Sequence, residues 1–253
     1  RLMETRMGVA KWGGPGAGVG TRTRTSKANW SKPLTWNKKA GANGTRPFVF
    51  CSSLADVFDN EVPSEWRRDL FDLIRATPNL TWLLLTKRPG NIVKLYGDAM
   101  LDPPDGGSGY PWPANAAIGC TVVTQEEADR DIPKLLGAKT KLQPAFCFLS
   151  MEPLLGPVDL SWHMPGPDWV ITGGETDQGA FRARPSNPGW FRRIRDVCAD
   201  WEVPYHHKQN GEWLEAQHTL QEGIDLHDGI ESRFIPDQGV FWKVGKAKAG
   251  RRL

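Results

Sequence analysis

The chain has 253 residues, of which 39% are hydrophobic and 24% charged, and its formal net charge is +3. This length suits one large domain or two small ones, and this composition is typical of a globular protein with a sizeable core. No stretch approaches the roughly 18 to 20 consecutive apolar residues of a membrane span, and no signal-peptide pattern opens the chain. We therefore expect a cytoplasmic protein.

The cations are concentrated at the two ends of the chain. No Asp or Glu lies between Thr5 and Ala55, and none lies from Gly239 onward. The cations of these two segments are Arg6, Lys11, Arg22, Arg24, Lys27, Lys32, Lys38, Lys39, Arg46, Lys243, Lys246, Lys248, Arg251 and Arg252. Such asymmetry favours a polyanionic partner, most simply nucleic acid, because neutralised phosphates release counterions. The alternative is that the basic ends are only solvated.

The first segment of the chain, residues 1–47, has no regular hydrophobic period. Glycines crowd the stretch from Gly13 to Gly20, and "TRTRTSKANWSKPLTW" fits neither a helix nor a strand. We predict a basic, loop-rich region that bears Trp12, Trp30 and Trp36.

Short apolar runs then alternate with stretches of helical spacing. The runs cover 48–53, 82–85, 116–123, 145–150, 169–172 and 203–208. Because their apolar residues are continuous rather than alternating, these runs are typical of strands buried on both faces of a parallel sheet. Helical spacing starts near Pro63 and recurs over 128–136 and 191–201, which gives βαβ units.

The fold class predicted from this alternation is α/β, a partial (β/α) TIM-like barrel over residues 48–209. An open doubly wound sheet is the alternative, but no G-x-G-x-x-G follows the first strand. Residues 210–253 break the alternation, and we predict a small β-rich C-terminal extension there.

Polar residues follow each predicted strand, where a barrel places its chemistry. These candidate site residues are Ser52, Asp56, Thr86, Lys87, Arg88, Thr121, Glu152, Gly173, Gly174, Glu175, Lys208 and Gln209. Six separate strands that all end in ligand-type residues favour a binding rim over chance.

Each of these residues also has a plainer interpretation. Lys87 and Arg88 suit a phosphate or carboxylate, or a surface salt bridge. Glu152 suits an amine or hydroxyl, or an ion pair with Lys87 or Lys208. All of these alternatives stay open at the level of the sequence.

The Gly173-Gly174-Glu175 step combines close backbone approach with a carboxylate that is free to accept hydrogen bonds; a plain turn is the alternative. His206 and His207 are adjacent on a strand and face opposite sides, so we expect no shared metal there. The four cysteines form no Cys-x-x-Cys pair and indicate neither a disulfide framework nor a metal site.

Six motifs, in order, resemble one known family: "FCSSLADVFDNEVP", "WLLLTKRP", "FLSMEPLLGPVDL", "WVITGGE", "HHKQNGEW" and "VGKAKAGRRL". This is the phage-associated, radical-SAM-like family long listed as a domain of unknown function. Some of its members are isomerases that act on glycinyl-thymidine in viral DNA hypermodification. The resemblance spans nearly the whole chain.

The resemblance implies a radical-SAM enzyme with S-adenosylmethionine and a 4Fe-4S cluster, which rearranges N-α-glycinyl to C-α-glycinyl thymidine in phage DNA. It implies DNA as partner and a bacterial or phage-infected cytoplasm as location. Carried onto this sequence, the cofactor-binding residues would be Ser52, Thr121, Glu152, Gly173, Gly174 and Glu175. The substrate-binding residues would be Asp56, Thr86, Lys87, Arg88, Lys208 and Gln209.

The sequence departs from the family pattern at two places. The family's cysteine triplet directly precedes the segment that matches Arg1, so we expect the cluster ligands upstream of this chain; the alternative is that the residues before Arg1 differ from the family pattern. Val123 and Thr124 stand where relatives carry Glu and Asn, which removes a polar contact. Two alternatives to the radical-SAM reading are a non-redox barrel enzyme that binds a phosphorylated or nucleotide substrate, and a non-catalytic nucleic-acid-binding module.

Overall fold

The computed structural model describes residues 20–51, 55–100, 110–221, 223–224, 226, 230–251 and 253. The described helices and strands, in chain order, are α1 (Lys27–Asn43), β1 (Phe48–Cys51), α2 (Ser64–Arg75), β2 (Thr81–Thr86), α3 (Ile92–Met100), β3 (Ala116–Thr121), α4 (Gln125–Leu142), β4 (Cys147–Met151), β5 (Trp169–Gly173), α5 (Pro188–Asp200), β6 (Tyr205–Gln209), β7 (Leu214–Glu215), α6 (Ala216–Gln221), β8 (Ser232–Ile235), β9 (Gly239–Trp242) and α7 (Lys246–Ala249). None of these helices has the length and apolar character needed to cross a membrane.

The chain forms two compact units. Unit 1 comprises the described residues up to Gly119 together with Gly137–Cys147, and unit 2 comprises Cys120–Leu136 and Phe148–Leu253. The strands of the barrel core are divided between the two units. The predicted segments 1–47, 48–209 and 210–253 stay a prediction.

The main sheet has six strands in the order β1-β2-β3-β4-β5-β6. The pairs β1–β2, β4–β5 and β5–β6 are parallel. Strand order that follows chain order, without the reversal of a doubly wound sheet, is the topology of half a (β/α) barrel. The predicted α/β class with a partial barrel is confirmed.

The strands differ in burial. Strands β2 to β5 are almost entirely buried, as their apolar sequences predict. Strands β1 and β6 alternate between exposed and half-buried residues, and Phe48 is 58% exposed. The prediction of burial on both faces is wrong for these two strands because they form the edges of the sheet.

Helix α1 replaces much of the loop predicted for residues 1–47. The Ser26 side chain caps it by accepting a hydrogen bond from the Asn29 N–H, at 3.4 Å, and Gly44 ends it at φ 63°. The helix buries only Pro33 and Ala40. Hydrophobic periodicity could not reveal it because almost no face of it is apolar.

The three predicted tryptophans of this segment lie in different settings. The Arg24 guanidinium stacks over the Trp30 ring, 4.0 Å from its centroid. Trp36 is 45% exposed on α1, and Trp12 lies outside the described residues.

The remaining predicted elements are confirmed. Helices α2, α4 and α5 occupy the three stretches of helical spacing, whereas α3 was not predicted. The C-terminal extension contains an antiparallel sheet in the order β7-β9-β8. Leu214, Val244 and Ala249 form a buried cluster of its own there.

Candidate functional site

In unit 1, one carboxylate joins the loop after β1 to the end of β2. Asp56 Oδ1 accepts hydrogen bonds from the Phe58 N–H at 2.9 Å and the Thr86 hydroxyl at 2.7 Å. Its Oδ2 accepts from the Lys87 N–H at 3.0 Å and from Arg88 Nη1 at 3.1 Å. All four donors belong to the protein, so this predicted substrate ligand fixes the local backbone.

The two cations after β2 are not equivalent. The Arg88 guanidinium binds Asp56 and lies 3.7 Å from Asp59, which in turn pairs with Arg22 at 2.7 Å. Lys87 is exposed, and its ammonium makes no hydrogen bond or ion pair with any residue that the structure describes. Lys87 therefore has the charge at this strand end that is available to a ligand.

A buried arginine supports the same loop. Arg67 is 2% exposed and donates to the carbonyls of Val57 at 2.9 Å, Asp59 at 3.1 Å and Val62 at 3.3 Å. Burial lowers the pKa of its guanidinium. Sequence reasoning missed Arg67, although a cation four residues before the buried Phe71 on one helix face is a signal that could have found it.

In unit 2, Glu152 and Lys208 form an ion pair at the ends of β4 and β6. Glu152 Oε2 lies 2.8 Å from Lys208 Nζ, and the side chains are 20% and 55% exposed. A Cβ on Gly173 would lie 3.0 Å from Glu152 Oε2, and one on Gly174 would collide with the Asn210 carbonyl. Glycine is therefore required at Gly174 for the neighbouring loop to approach β5, whereas at Gly173 it leaves room for the Glu152 carboxylate.

The next carboxylate is already occupied by protein donors. Glu175 Oε2 accepts from the backbone N–H and Nε of Arg184, and Oε1 accepts from Nη2, each at 2.8 Å. The hydrogen bonds from the Arg184 side chain lower the pKa of Glu175 despite its partial burial. The sequence suggested a free acceptor here, but the structure shows a carboxylate that orients an arginine.

Asp177 organises the loop between β5 and α5 in a similar way. It accepts from the Ala183 N–H at 2.7 Å and from Lys243 Nζ at 2.8 Å. These bonds, led by the backbone N–H, lower the pKa of Asp177 to about 2. Lys243 belongs to the segment after β9, so Asp177 ties the C-terminal extension to this loop.

A polar chain runs between β5, β6 and the C-terminal helix. The Thr172 hydroxyl lies 2.7 Å from Tyr205 OH and 3.0 Å from His207 Nδ1, and His207 Nε2 lies 2.9 Å from Asn210 Oδ1. Asn210 Nδ2 donates to the Ala249 carbonyl at 2.8 Å. Because Asn210 Oδ1 only accepts, Nε2 of His207 carries the proton and Nδ1 accepts from Thr172.

Burial lowers the pKa of His207 to about 4, so the ring is neutral at pH 7. His206 is exposed on the other side of the strand, as the alternation predicts. His207 therefore links the side chains of Thr172 and Asn210.

Three other predicted residues contribute less. Thr121 is half-buried at the end of β3, and Gln209 Nε2 donates to the Gly174 carbonyl at 3.3 Å. Ser52 lies outside the described residues.

The departure at Val123 and Thr124 has a local structural role. The Glu127 carboxylate accepts from the Val123 N–H at 2.9 Å, and Thr124 Oγ1 accepts from the Glu127 N–H at 3.4 Å. This reciprocal pair resembles the capping box that begins a helix. Thr124 and Glu127 thus fix the start of α4.

The cysteines do not fit an iron–sulfur cluster. All four are free thiols; Cys120, Cys147 and Cys198 are buried, and Cys51 is half-buried. Burial raises the pKa of Cys198 to about 12, which disfavours a thiolate. Among the described residues, no group of three His, Cys, Asp or Glu side chains is placed to hold a metal ion.

The comparisons with known proteins show the family. The model of the family described as "Protein of unknown function (DUF5131)" matches residues 2–253, so the chain belongs to that family. No curated protein matches the chain. Among solved structures, a mutant spore photoproduct lyase with dinucleoside spore photoproduct matches at a TM-score of 0.38 and 8% identity, over 83% of this chain. The match covers 57% of the lyase chain, and a likeness of this size does not extend to site residues.

Proposed function

We propose that this member of the DUF5131 family is a radical-SAM enzyme that isomerises a glycinyl-modified thymidine in DNA. We further propose that the ends of β4 to β6 hold the amino-acid part of S-adenosylmethionine. The observation that supports the cofactor site is the Glu152–Lys208 ion pair beside the side-chain-free Gly173-Gly174 step.

The charges of this pair match those of an amino acid. Glu152 already binds an ammonium at 2.8 Å, and Lys208 is 55% exposed on a long flexible stem. An exposed ion pair contributes only about 0 to 1 kcal/mol, so a ligand can displace it easily. The ammonium of the methionine moiety would bind Glu152 in place of Lys208, and Lys208 would turn to its carboxylate.

The DNA part of the proposal depends on unit 1. Helix α1 contains Lys27, Lys32, Lys38 and Lys39 without an acid, and it exposes Trp36. Cations bind a nucleic-acid backbone, and aromatic side chains stack on unpaired bases. Lys87, whose ammonium has no partner among the described residues, is a further cation in the same unit.

The cluster of the proposed reaction requires thiolates other than the four described above. Bound by such thiolates, a cluster would supply the reducing electron for the cleavage of S-adenosylmethionine. Within this chain, the role of Glu152, Lys208, Gly173 and Gly174 would be to bind and orient the cofactor's amino-acid group.

Calorimetric titration with S-adenosylmethionine and with S-adenosylhomocysteine tests the cofactor site without any turnover. We expect Glu152→Gln to weaken binding of both ligands about tenfold or more, because it removes the charge that pairs with the ammonium. The matched control is Glu126→Gln, which changes an exposed carboxylate on α4. Equal affinity in Glu152→Gln and the wild type, or no binding by the wild type, would contradict the proposal.

A second measurement tests the radical chemistry. The native polypeptide, expressed from its own start codon, should turn brown on anaerobic reconstitution with iron and sulfide, and should then cleave S-adenosylmethionine. A colourless, inactive product would exclude the radical-SAM reading while leaving the titration result intact.

The free ammonium of Lys87 favours one other candidate, a non-redox enzyme that binds a phosphorylated substrate at the end of β2. Lys87→Ala would then abolish binding of a nucleoside phosphate. Arg88 is a poorer test because its replacement also releases Asp56.

A further inference from the structure

A cavity of about 320 Å³ in unit 2 lies beside the turn that joins β8 to β9. Its lining includes Arg184, Trp190, Arg233, Phe234 and Gln238. Small-ligand sites typically have volumes of about 300 to 1,000 Å³ and combine aromatic surface with a few polar groups. Among the candidate site residues, Glu175 is the one that a described hydrogen bond connects to this cavity. It accepts from Arg184, which lines the cavity.

Two arginines line the cavity, and they differ in whether a carboxylate balances their charge. Arg184 is oriented by Glu175 through Nε and Nη2, which leaves Nη1 without a bond to any described residue. Arg233 is exposed and has no ion pair with the residues that the structure describes. Because Glu175 balances the charge of Arg184, Arg233 provides the net positive charge.

Two aromatic rings lie at the same cavity. Phe234 is 70% exposed on β8, and Trp190 is half-buried in the first turn of α5. An exposed aromatic ring at the edge of a cavity offers a flat apolar surface on which a planar ligand can stack. Base–aromatic stacking contributes about 1 to 3 kcal/mol per base in single-stranded nucleic-acid sites.

The turn itself presents an unsatisfied acceptor. Gln238 N–H closes the turn on the Ile235 carbonyl at 3.1 Å, and Asp237 adopts φ 62°. The side-chain Oε1 of Gln238 is buried, and it has no hydrogen-bond partner among the described residues. Because this oxygen has almost no accessible surface, a ligand in the cavity does not reach it.

We propose that this cavity binds one nucleotide unit of a single nucleic-acid strand. The base stacks on Phe234 beside Trp190, and the phosphate binds Arg233. The inference rests on the DNA substrate of the proposed function and names a contact for it on the C-terminal extension. It does not depend on S-adenosylmethionine or on a cluster.

The test is fluorescence anisotropy with a labelled ten-nucleotide single-stranded DNA, in the absence of cofactor. We expect Arg233→Ala and Phe234→Ala each to weaken binding about fivefold or more. Arg233→Ala should also reduce the slope of log affinity against log salt by about 0.7, the value for one phosphate contact on a single strand.

Matched controls are Arg193→Ala, an exposed arginine on α5, and Trp162→Ala, a ring that is 91% exposed. Both should bind the labelled strand like the wild type. Competition with unlabelled thymidine monophosphate separates the two sources of this chemistry. If the mononucleotide competes at micromolar concentration, the site takes a free nucleotide and the proposed strand contact is wrong.

Unchanged affinity and salt dependence in both cavity variants, or equal losses in the controls, would overturn the proposal. Both variants alter exposed side chains, and their unfolding curves check that they fold. Glu152→Gln should leave strand binding unchanged, so a failure of the cofactor site and a failure of this cavity give different results.

Discussion

Asp56 in unit 1 and Glu152 in unit 2 are both carboxylates that follow a strand of the main sheet, yet their surroundings differ. Asp56 accepts four hydrogen bonds, two of them from backbone N–H groups. Glu152 pairs with the exposed ammonium of Lys208. A strand-end acid that several backbone groups hold is structural, whereas one held by a flexible cation is available to a ligand.

The largest effect is expected for Asp56→Ala, which tests whether Asp56 is structural. The variant leaves two backbone N–H groups, the Thr86 hydroxyl and the Arg88 guanidinium without their acceptor. Because hydrogen bonds to charged groups contribute about 1.5 to 3 kcal/mol each and neighbours compensate in part, we expect a loss of about 3 kcal/mol. Urea unfolding measures it.

Asp69→Ala is the control for that experiment, because Asp69 is a half-exposed acid on α2 with one ion pair, to Arg24. Its loss should stay within about 1 kcal/mol. Similar losses in the two variants would show that Asp56 is not structural.

The second prediction concerns His207, in the polar chain between β5, β6 and the C-terminal helix, and the pH dependence of the free energy of unfolding. Burial lowers the folded-state pKa of His207 to about 4, below the usual value near 6.5. Between these values the unfolded chain binds more protons, so the free energy of unfolding falls as the pH falls. We expect a loss of about 2 kcal/mol between pH 7 and pH 5, an order-of-magnitude figure.

Urea unfolding of His207→Gln at both pH values isolates this contribution. The variant has no titrating ring, so its stability should change less over the same interval. His206 is exposed on the opposite side of β6, and His206→Gln should keep the full pH dependence of the wild type. An identical pH dependence in His207→Gln and the wild type would contradict the buried neutral histidine.

The fold was largely predictable because strands β2 to β5 are mostly apolar and almost entirely buried. Helix α1 was not predictable in the same way. Its residues are mostly polar and exposed, so its local signals are the caps Ser26 and Gly44. Pattern reasoning detects an element through its buried face, and α1 has almost none.

The site was predictable only as a set of positions. The sequence predicted polar residues at the strand ends, but it could not assign their partners. Glu175 binds Arg184 because the loop between them folds back, and no periodic spacing links the two. The donors that occupy a carboxylate are set by contacts in the folded protein, so only the structure could distinguish Asp56 from Glu152.

The third prediction is that Glu152→Gln has little effect on stability. The Lys208 side chain of its ion pair is 55% exposed. Such exposed pairs contribute about 0 to 1 kcal/mol to the free energy of unfolding. We expect a change in the free energy of unfolding below about 1 kcal/mol. A loss as large as that of Asp56→Ala would make Glu152 structural and would remove the physical basis of the proposed cofactor site.

The smallest expected effect is that of Lys87→Ala. Its side chain is exposed and has no partner among the described residues, while its backbone N–H, which binds Asp56, is retained in the variant. We expect a change below about 0.5 kcal/mol in urea unfolding. Arg88→Ala is the matched comparison, and it should lose more because it removes a donor to Asp56 and the neighbour of Asp59. If Lys87→Ala destabilises the protein as much as Arg88→Ala does, the ammonium has a structural partner, and the end of β2 offers no free cation to an anionic ligand.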